Sequence, residues 1–332
     1  MSSFAHNLSG IFVGMVACFA TVTHAQPGSG QLSADYPSRP VRILVGSSIG
    51  GGVDLAVRPV AHMLGERWGS QVIVENRDGA SGAIAMEITA KAIPNGYTLF
   101  VAGTTMILTG AQKKVPFDIR SAYAPIVRMT TQPYLLLVNP TLPLNSVKEL
   151  IAYAKSKPGA ISYGTAGIGS TTHIGTELLK SMVGIDIVNV PYKGNAPAIV
   201  DLMAGRIQMM FASGVAAGPQ VKSGKVKALA IAGLRRMQAF PDLPTIAESG
   251  VPGYELGNSF ALYAPAATPL PILVNINREV SQFMNSPEMK AKLALDATEA
   301  APPRSPAQFK AEFVSEVNKW EKFFQTAGLK FD

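Results

Sequence analysis

Short apolar runs alternate with helical patterns along most of the chain, and glycines separate them. The first run, Val41 to Val45, is rich in β-branched residues and ends at Gly46, and a helix is predicted from about Val53 to Trp68. The same order recurs with a predicted strand at Gln71 to Glu75 and a predicted helix at Ser81 to Ala92. Strands that alternate with helices form parallel sheets covered by helices on both faces. The chain is therefore predicted to be an α/β protein.

A second series of the same kind begins with Tyr134 to Val138, an apolar run typical of a buried strand. Ser146 and Glu149 have the spacing of a capping box, which predicts a helix start. Further strands are predicted at Tyr97 to Ala102, Ile161 to Tyr163, Ile187 to Val190, Ile207 to Phe211, Val226 to Ala232 and Phe260 to Ala264, with helices at about His173 to Met182 and Ala196 to Ala204. Beyond them the tail is predicted to be helical, with helix starts at Ser286-Pro287 and Ser305-Pro306.

Chain length favours two lobes rather than one core. Roughly 300 residues follow the N-terminal segment, more than the ~250 at which a single hydrophobic core stops growing. The chain is expected to cross between the lobes near residues 131–139 and 250–262. We therefore predict a first lobe at 36–135, completed by 255–332, and a second lobe at 136–254.

The N-terminal segment has the pattern of a secretory signal peptide. Residues 1–25 contain no Asp, Glu, Lys or Arg, and an apolar run from Ile11 to Val22 precedes the small-x-small sequence Thr23-His24-Ala25. The run is about a dozen residues long, shorter than the ~20 of a membrane-spanning helix. We predict cleavage after Ala25 and a periplasmic location. An uncleaved anchor and a lipid-bearing start at Cys18 are the alternatives.

Composition argues against several classes of function. The net charge is +7, but the basic residues are scattered and no aromatic residues are interleaved with them, so a nucleic-acid partner is not predicted. A mild general attraction for anions is the expected consequence. Cys18 is the only cysteine and lies in the predicted signal peptide. No nucleotide or metal motif occurs, so no cofactor and no metal site are predicted.

Three loops combine glycines with polar side chains after predicted strands: Gly46 to Asp54, Asn76 to Gly82, and Gly164 to His173. Ligands of parallel α/β sheets bind at this edge, where loops lead into helix N-termini. Glycine lets backbone N–H groups approach an anion, and a helix N-terminus adds free donors and partial positive charge. Because a carboxylate leaving water must recover its hydrogen bonds, these loops predict a carboxylate site. Ordinary capped turns are the alternative.

Gly46 to Gly50 also matches the G-x-S-x-G nucleophile elbow, with Ser48 as the nucleophile. Such a hydrolase needs a sheet largely built before the elbow and a suitably placed histidine, whereas this loop follows the first strand. Only His62 and His173 remain after the predicted cleavage, and His62 lies within a predicted helix. No catalytic residue is assigned, and an exported hydrolase is kept as an alternative.

Seven segments carry a resemblance to a known family: Tyr36 to Arg42, Gly51 to Asp54, Glu75 to Gly82, Asn95 to Leu99, Tyr163 to His173, Val190 to Gly194, and Leu243 to Gly253. Through them the chain resembles the Bug family, the solute-binding proteins of tripartite tricarboxylate transporters. The resemblance implies a two-lobed periplasmic binding protein fold, each lobe a helix-flanked, mainly parallel sheet, with the ligand cleft between the lobes.

The resemblance also implies a function. A monomer of this family would capture a small organic acid, such as a dicarboxylate or an aromatic acid, by lobe closure and without chemistry. It would then deliver the acid to an inner-membrane tripartite permease. A receptor that binds in the same way but reports to a signalling partner is an alternative that the sequence does not separate from this one.

The ligand-binding positions implied by the resemblance are Ser48, Gly51, Asp54, Gly167, Ser170, Thr171, Tyr192, Lys193, Gly194 and Asn195. The three loops add Gly50, Ala80 and His173, and Thr105 is added from the segment that follows the predicted strand Tyr97 to Ala102. Asp54 is expected either to accept a hydrogen bond from the ligand or to add favourable charge at its helix N-terminus. Lys193 is expected to attract an acid at longer range.

Overall fold

The structure is a computed structural model that describes residues 36–295 and 298–327. The predicted signal peptide at 1–25 lies outside the described residues. Among the described helices, none combines the length and the apolar character that crossing a membrane requires.

One part of the molecule is built on a mixed sheet with strand order β2-β1-β3-β9-β4, and β10 pairs with β4 as well. Its strands are β1 (Val41–Val45), β2 (Val72–Asn76), β3 (Thr98–Ala102), β9 (Gly257–Pro265), β10 (Glu299–Ala300) and the first part of β4 (Tyr123–Val138). The three strands β1, β2 and β3 are parallel, so their carboxyl ends lie at one edge. We call this the first sheet.

The second sheet contains the last part of β4 together with β5 (Ser162–Thr165), β6 (Val188–Pro191), β7 (Met209–Ser213) and β8 (Lys227–Ile231). Here β5 pairs in parallel with β6 and with β7, so their carboxyl ends also share an edge. In both sheets the expected parallel pairing is found in these three-strand sets. The strands nearest the junction are antiparallel, because β4 and β9 carry the chain between the sheets in opposite directions.

Strand β4 is much longer than the predicted strand at Tyr134 to Val138. It pairs with β9 from Tyr123 to Pro133 and with β7 and β8 beyond that point. Its first part escaped prediction because Pro125 and Pro133 interrupt the apolar pattern, and proline is unusual inside a paired strand. The register shifts next to Pro125, which accommodates that residue.

Helices cover both sheets. They are α1 (Gly52–Trp68), α2 (Ala83–Ala90), α3 (Thr104–Ala111), α4 (Ile119–Ala122), α5 (Val147–Ser156), α6 (Thr171–Val183), α7 (Asn195–Met203), α8 (Gly214–Lys222), α9 (Leu270–Met284), α10 (Pro287–Leu295) and α11 (Pro306–Ala327). Helices α3, α4 and α8 were not predicted, since α3 and α8 are short and rich in glycine and small residues. A capping hydrogen bond from the backbone N–H of Glu149 to Ser146 begins α5, as predicted.

Two apolar layers hold the first sheet. One face packs against α1 and α9 through residues such as Ile43, Leu64 and Ile276. The other face packs against α3 and α11 through residues such as Phe100 and Phe313. The C-terminal helices therefore cover the first sheet, and its polar loops are left at the carboxyl edge of β1, β2 and β3.

Candidate functional site

A cavity of about 420 Å³ opens at the carboxyl edge of the first sheet. Its polar lining consists of Ser47, Ser81, Thr104, Thr105, Gln132 and Asn258. Its larger apolar residues are Val53, Met86, Phe100, Val101, Met106 and Phe260. None of the described residues that line it is charged. A charged ligand would therefore find hydrogen-bonding groups here rather than an opposite charge.

Three helices begin around this cavity, and each has a glycine at its N-cap. Gly51 precedes α1, Gly82 precedes α2 and Gly103 precedes α3, and in none of them does a side chain cap the first turn. Elsewhere Asp118 caps α4 and Ser146 caps α5. Because first-turn N–H groups have no acceptor inside their own helix, the three glycine-capped helices leave donors for a ligand.

The glycines also allow the three loops to approach one another. A Cβ added at Gly46 would lie 2.9 Å from the Cα of Gly82, so the backbones of the first two loops are in contact. The ring of Phe260 lies between the first turns of α1 and α3, where a Cβ at Gly52 or at Gly103 would come within 3.2 Å of it. These contacts fix the positions of the helix N-termini around the cavity.

Asp54 organises the first loop. Its side chain is 1% exposed, and its carboxylate accepts hydrogen bonds from the backbone N–H of Gly50 (2.9 Å), from Arg58 (2.8 and 2.9 Å) and from the amide of Asn76 (3.0 Å). The amide of Asn76 also donates to the carbonyl of Ser47. The Arg58 guanidinium, more than any other group, lowers the pKa of Asp54 to about 2. Both carboxylate oxygens are occupied by donors from the protein.

The loop places Ser47, rather than Ser48, on the cavity. Ser47 lines it, and its Oγ is buried without a hydrogen-bond partner among the described residues. Ser48 is exposed and does not line the cavity, and its carbonyl accepts from the N–H of Gly51. Ala80 also lies off the lining, although its neighbour Ser81 and the predicted residue Thr105 belong to it.

In the second sheet the loop from Gly167 to His173 is closed by its own side chains. The Ser170 hydroxyl donates to the carbonyl of Gly167 (2.7 Å) and accepts from the N–H of His173 (3.3 Å), which caps α6. Thr172 accepts from the N–H of Ala166 (3.0 Å). The Ser170 hydroxyl therefore donates and accepts hydrogen bonds within the loop and at the helix start.

His173 is buried and acts as an acceptor within the same loop. Its Nδ1 accepts from the N–H of Gly169 at 3.1 Å. Burial lowers the pKa of the imidazole, which favours the neutral form. A neutral ring that accepts at Nδ1 carries its proton on Nε2. This arrangement supports the loop and offers no free base at Nδ1.

The loop after β6 lies beside this one, since a Cβ at Gly167 would be 3.5 Å from the carbonyl oxygen of Tyr192. The Tyr192 hydroxyl donates to Asp201 at 2.8 Å, and Lys193 is exposed. Gly194 is the N-cap of α7, has a φ of 106° and leaves that helix without a side-chain cap. Asn195 follows, with a buried Oδ1 that has no partner among the described residues. Helix α7 is thus the uncapped helix start of this edge.

Tyr134 connects the two edges. Its hydroxyl accepts from the Asn258 amide at 3.0 Å, and Asn258 lines the cavity of the first sheet. Thr171, in the first turn of α6, lies close enough to the Tyr134 hydroxyl to lower its pKa. Burial raises the pKa of Tyr134 to about 12, so the hydroxyl is protonated at neutral pH. The start of α6 is therefore connected to the cavity wall through the Tyr134 side chain.

A second cavity, of about 500 Å³, lies next to α11 and is lined by several charged side chains. These residues pair with each other: Arg128 with Glu316 (3.0 Å), Arg304 with Glu312 (2.8 Å), Arg235 with Glu299 (3.6 Å) and Lys319 with Glu255 (4.0 Å). Because its charges are matched internally, this cavity is the weaker candidate for an anion site.

Comparison with known proteins decides the family. The family model described as "Tripartite tricarboxylate transporter family receptor" matches residues 56–329. Protein BugT of Bordetella pertussis is 33% identical over 305 residues, which cover 90% of this chain and 93% of BugT. A UPF0065 protein from the gbd 5'region of Cupriavidus necator is 31% identical over 293 residues, 88% of each chain.

The chain belongs to the tripartite tricarboxylate transporter receptor family. The resemblance to Bug proteins is thereby confirmed, and members of this receptor family are periplasmic solute-binding proteins rather than enzymes.

Solved structures agree on the two-lobed fold. A TctC solute binding protein from Polaromonas superposes with a TM-score of 0.81 at 25% identity, covering 88% of this chain and 99% of that one. R. palustris Rpa4515 with adipate superposes with a TM-score of 0.68 at 35% identity, covering 89% of this chain and 99% of that one. MatC from Rhodopseudomonas palustris with bound malate superposes with a TM-score of 0.66 at 30% identity, covering 86% of this chain and 99% of that one. The predicted fold class is confirmed.

Several residues on the receptor's cavity were missed by sequence reasoning: Ser47, Ser81, Thr104, Gln132 and Asn258. Ser47, Ser81 and Thr104 lie within or next to the glycine loops, so their presence could have been expected. Gln132 and Asn258 carry no such signal, because they lie in the strands that connect the sheets. The start of α8, capped by Ser213, lies at the same edge as α6 and α7 and was missed with its helix.

Proposed function

We propose that this receptor is exported by cleavage after Ala25 and captures a small carboxylic acid between two lobes. The first lobe comprises residues 36–135 and 255–332, and the second comprises 136–254. The monomeric receptor then delivers the acid to an inner-membrane tripartite permease, and it performs no chemistry on it.

The observation that carries this proposal is the ring of glycine-capped helix starts around an uncharged cavity. An acid group there receives N–H donors and the favourable ends of helix dipoles. Its hydrogen bonds to water are thus replaced without a buried counter-charge, whose desolvation would reduce the net gain. Ser47 and Thr105 add hydroxyl groups at the same place, whereas the Thr104 hydroxyl donates to the carbonyl of Gly257.

The second lobe supplies the other wall. Helix α7 offers its uncapped first turn, and Thr171 approaches the cavity wall through Tyr134. A ligand that draws donors from both edges binds the closed form more tightly, and it shifts the lobes toward closure by that difference in affinity. Asp54 and Ser170 shape the loops in this proposal and do not bind the acid directly.

Two similar proteins support an acid as the ligand, since solved structures of R. palustris Rpa4515 and of MatC hold adipate and malate. An uncharged cavity between helix N-termini suits the same chemistry here. A hydrolase has no comparable support, because Ser48 lies off the cavity and the Nδ1 of His173 is already an acceptor.

The test is a thermal-shift screen of the purified protein that starts at Gln26. Organic acids are compared with their primary amides, which match them in size but carry no charge. A ligand that binds only the folded state raises the melting temperature by mass action, about 2.7 kcal/mol of stabilisation at a hundredfold excess over Kd. Stabilisation by at least one acid and not by its amide is expected. Absence of stabilisation by every acid would refute the proposal.

A further inference from the structure

Two amide side chains lie next to each other on the strands that connect the sheets. Gln132 of β4 and Asn258 of β9 are direct cross-strand partners, so their side chains emerge on the same face. Both line the cavity of the first sheet, and both also line the charged cavity next to α11, so they lie between the two cavities. Neither belongs to a glycine loop or to a helix N-terminus, so the carboxylate chemistry proposed above does not explain them.

Each amide uses one end to bind the protein. The Gln132 amide donates to the hydroxyl of Thr298 at 3.1 Å, and the Asn258 amide donates to the hydroxyl of Tyr134 at 3.0 Å. Within the described residues the other end of each side chain has no hydrogen-bond partner. Two amide groups, each held by one hydrogen bond to the protein, therefore lie on the cavity wall with one polar end left unpaired.

We propose that this pair binds a hydroxyl group of the ligand and that the receptor selects hydroxycarboxylic acids. Because both amide nitrogens donate to the protein, the unpaired ends are carbonyl oxygens. A ligand hydroxyl donates its one hydrogen to one of these oxygens and can accept from the second N–H of the other amide. A methylene group leaves both amide ends unpaired once the ligand has displaced water, and that loss gives strong discrimination. A carboxylate only accepts hydrogen bonds, so it binds better at the nearby helix N-termini, which offer N–H donors.

Tyr134 is a positioning residue for this pair. Its hydroxyl accepts from the Asn258 amide and lies near Thr171, in the first turn of α6. A hydroxyl bound at Gln132 and Asn258 therefore touches both connecting strands and lies one side chain away from the second sheet. Recognition of the hydroxyl and closure of the lobes are coupled at this point.

The inference rests on the proposed function and is tested by titration calorimetry with matched acids. The pairs are succinate and malate, glutarate and 2-hydroxyglutarate, and benzoate and 3-hydroxybenzoate. In the unmodified receptor the hydroxy acid of every pair that binds should be at least about tenfold tighter. This preference should fall below about threefold in Asn258→Ala and in Gln132→Ala.

Tyr134→Phe keeps the ring and removes the positioning hydroxyl, so it should reduce the same preference in a protein that remains folded. It also serves as the test if an alanine variant does not fold. Asn275→Ala removes an amide on α9, outside both cavities, and should leave the preference unchanged.

The outcomes separate the two proposals. Acids that bind with equal or greater affinity without the hydroxyl would overturn the inference alone, since water would then serve the amides. A hydroxyl preference that survives all three site variants would place its recognition elsewhere and overturn it as well. Failure of every acid to bind would refute the proposed function and the inference with it.

Discussion

The ring of Phe260 rests against the backbone of Gly103, at the first turn of α3. A Cβ at Gly103 would lie 3.2 Å from Cε1 of that ring, closer than an unstrained contact allows. The same ring touches Gly52 at the start of α1. One aromatic side chain from a connecting strand thus sets the spacing of two helix starts, and the absence of side chains at both glycines makes this possible.

The first prediction follows from that contact. Gly103→Val should push the Phe260 ring away, lower the free energy of unfolding by about 1–3 kcal/mol and weaken acid binding. Urea unfolding and calorimetry measure the two effects. Gly65→Ala is the control, because its Cβ has ordinary clearance inside α1 and should stabilise the helix by about 0.5–1 kcal/mol. Unchanged binding in Gly103→Val would show that helix spacing is unimportant.

The second prediction concerns acid stability. The folded-state pKa of Asp54, about 2, lies below its ordinary value of 3.8, so its ionised form stabilises the folded protein. That stabilisation, on the order of 2 kcal/mol, is complete above about pH 4 and is lost as the pH falls through about 2.

Asp54→Asn should therefore be less stable than the unmodified protein at pH 7, and the difference should shrink toward pH 2. Urea unfolding across this range gives the comparison. Gly65→Ala, which changes no titratable group, should show a difference that is independent of pH. If the difference in stability between Asp54→Asn and the unmodified protein did not change with pH, the ion pair of Asp54 with Arg58 would not be the source of the stabilisation.

The third prediction separates two neighbouring hydroxyls. Ser170 caps α6, so Ser170→Ala should lower the free energy of unfolding by about 1 kcal/mol. Thr171 does not cap the helix and lies near Tyr134, so Thr171→Ala should leave stability nearly unchanged. It should weaken acid binding by about fivefold, the effect of losing one neutral contact that supports Tyr134 and Asn258 at the cavity wall. Urea unfolding and titration calorimetry measure the two effects. If Ser170→Ala weakened acid binding and left stability unchanged, Ser170 would contact the ligand.

The fourth prediction concerns Lys193, which is exposed beside the N-cap of α7. An exposed charge near a site mainly steers encounter, so Lys193→Gln should slow association of an acid and reduce its dependence on salt. Dissociation should change little. Stopped-flow binding at low and high ionic strength measures both rates. A change confined to dissociation would instead indicate direct contact with the bound acid.

The fifth prediction is the absence of turnover. Neither the receptor nor Ser48→Ala should hydrolyse activated esters above the background of a heat-denatured sample, because Ser48 lies off the cavity. Ser47→Ala, on the cavity wall, should reduce acid binding instead. Ester hydrolysis that disappears in Ser48→Ala would reverse the conclusion on chemistry.

Much of the fold could be predicted because its signals are local. The apolar run from Val41 to Val45 and the glycines after it indicate a strand, a turn and a helix start without knowledge of the rest of the chain. The same holds for the capping box at Ser146 and for the loop from Gly167 to His173. Local backbone preferences and side-chain periodicity determine such features.

The candidate site was only partly predictable, because the same residue types serve the loop and the ligand. Asp54 and Ser170 were reasonable site residues by type and position. In the folded protein Arg58 and Asn76 occupy the carboxylate, and the carbonyl of Gly167 takes the hydroxyl proton. Only the positions of these partners in space determine which polar groups remain available to a ligand.

The sequence by itself determined the alternation of strands and helices, the glycine loops that follow the strands, and the family. Tertiary structure alone decided that Gln132, Tyr134 and Asn258 meet beside the cavity. Tyr134 and Asn258 are 124 residues apart, and the register of β4 against β9 brings them together. Strand register depends on the packing of both sheets and their helices, so no local pattern contains it.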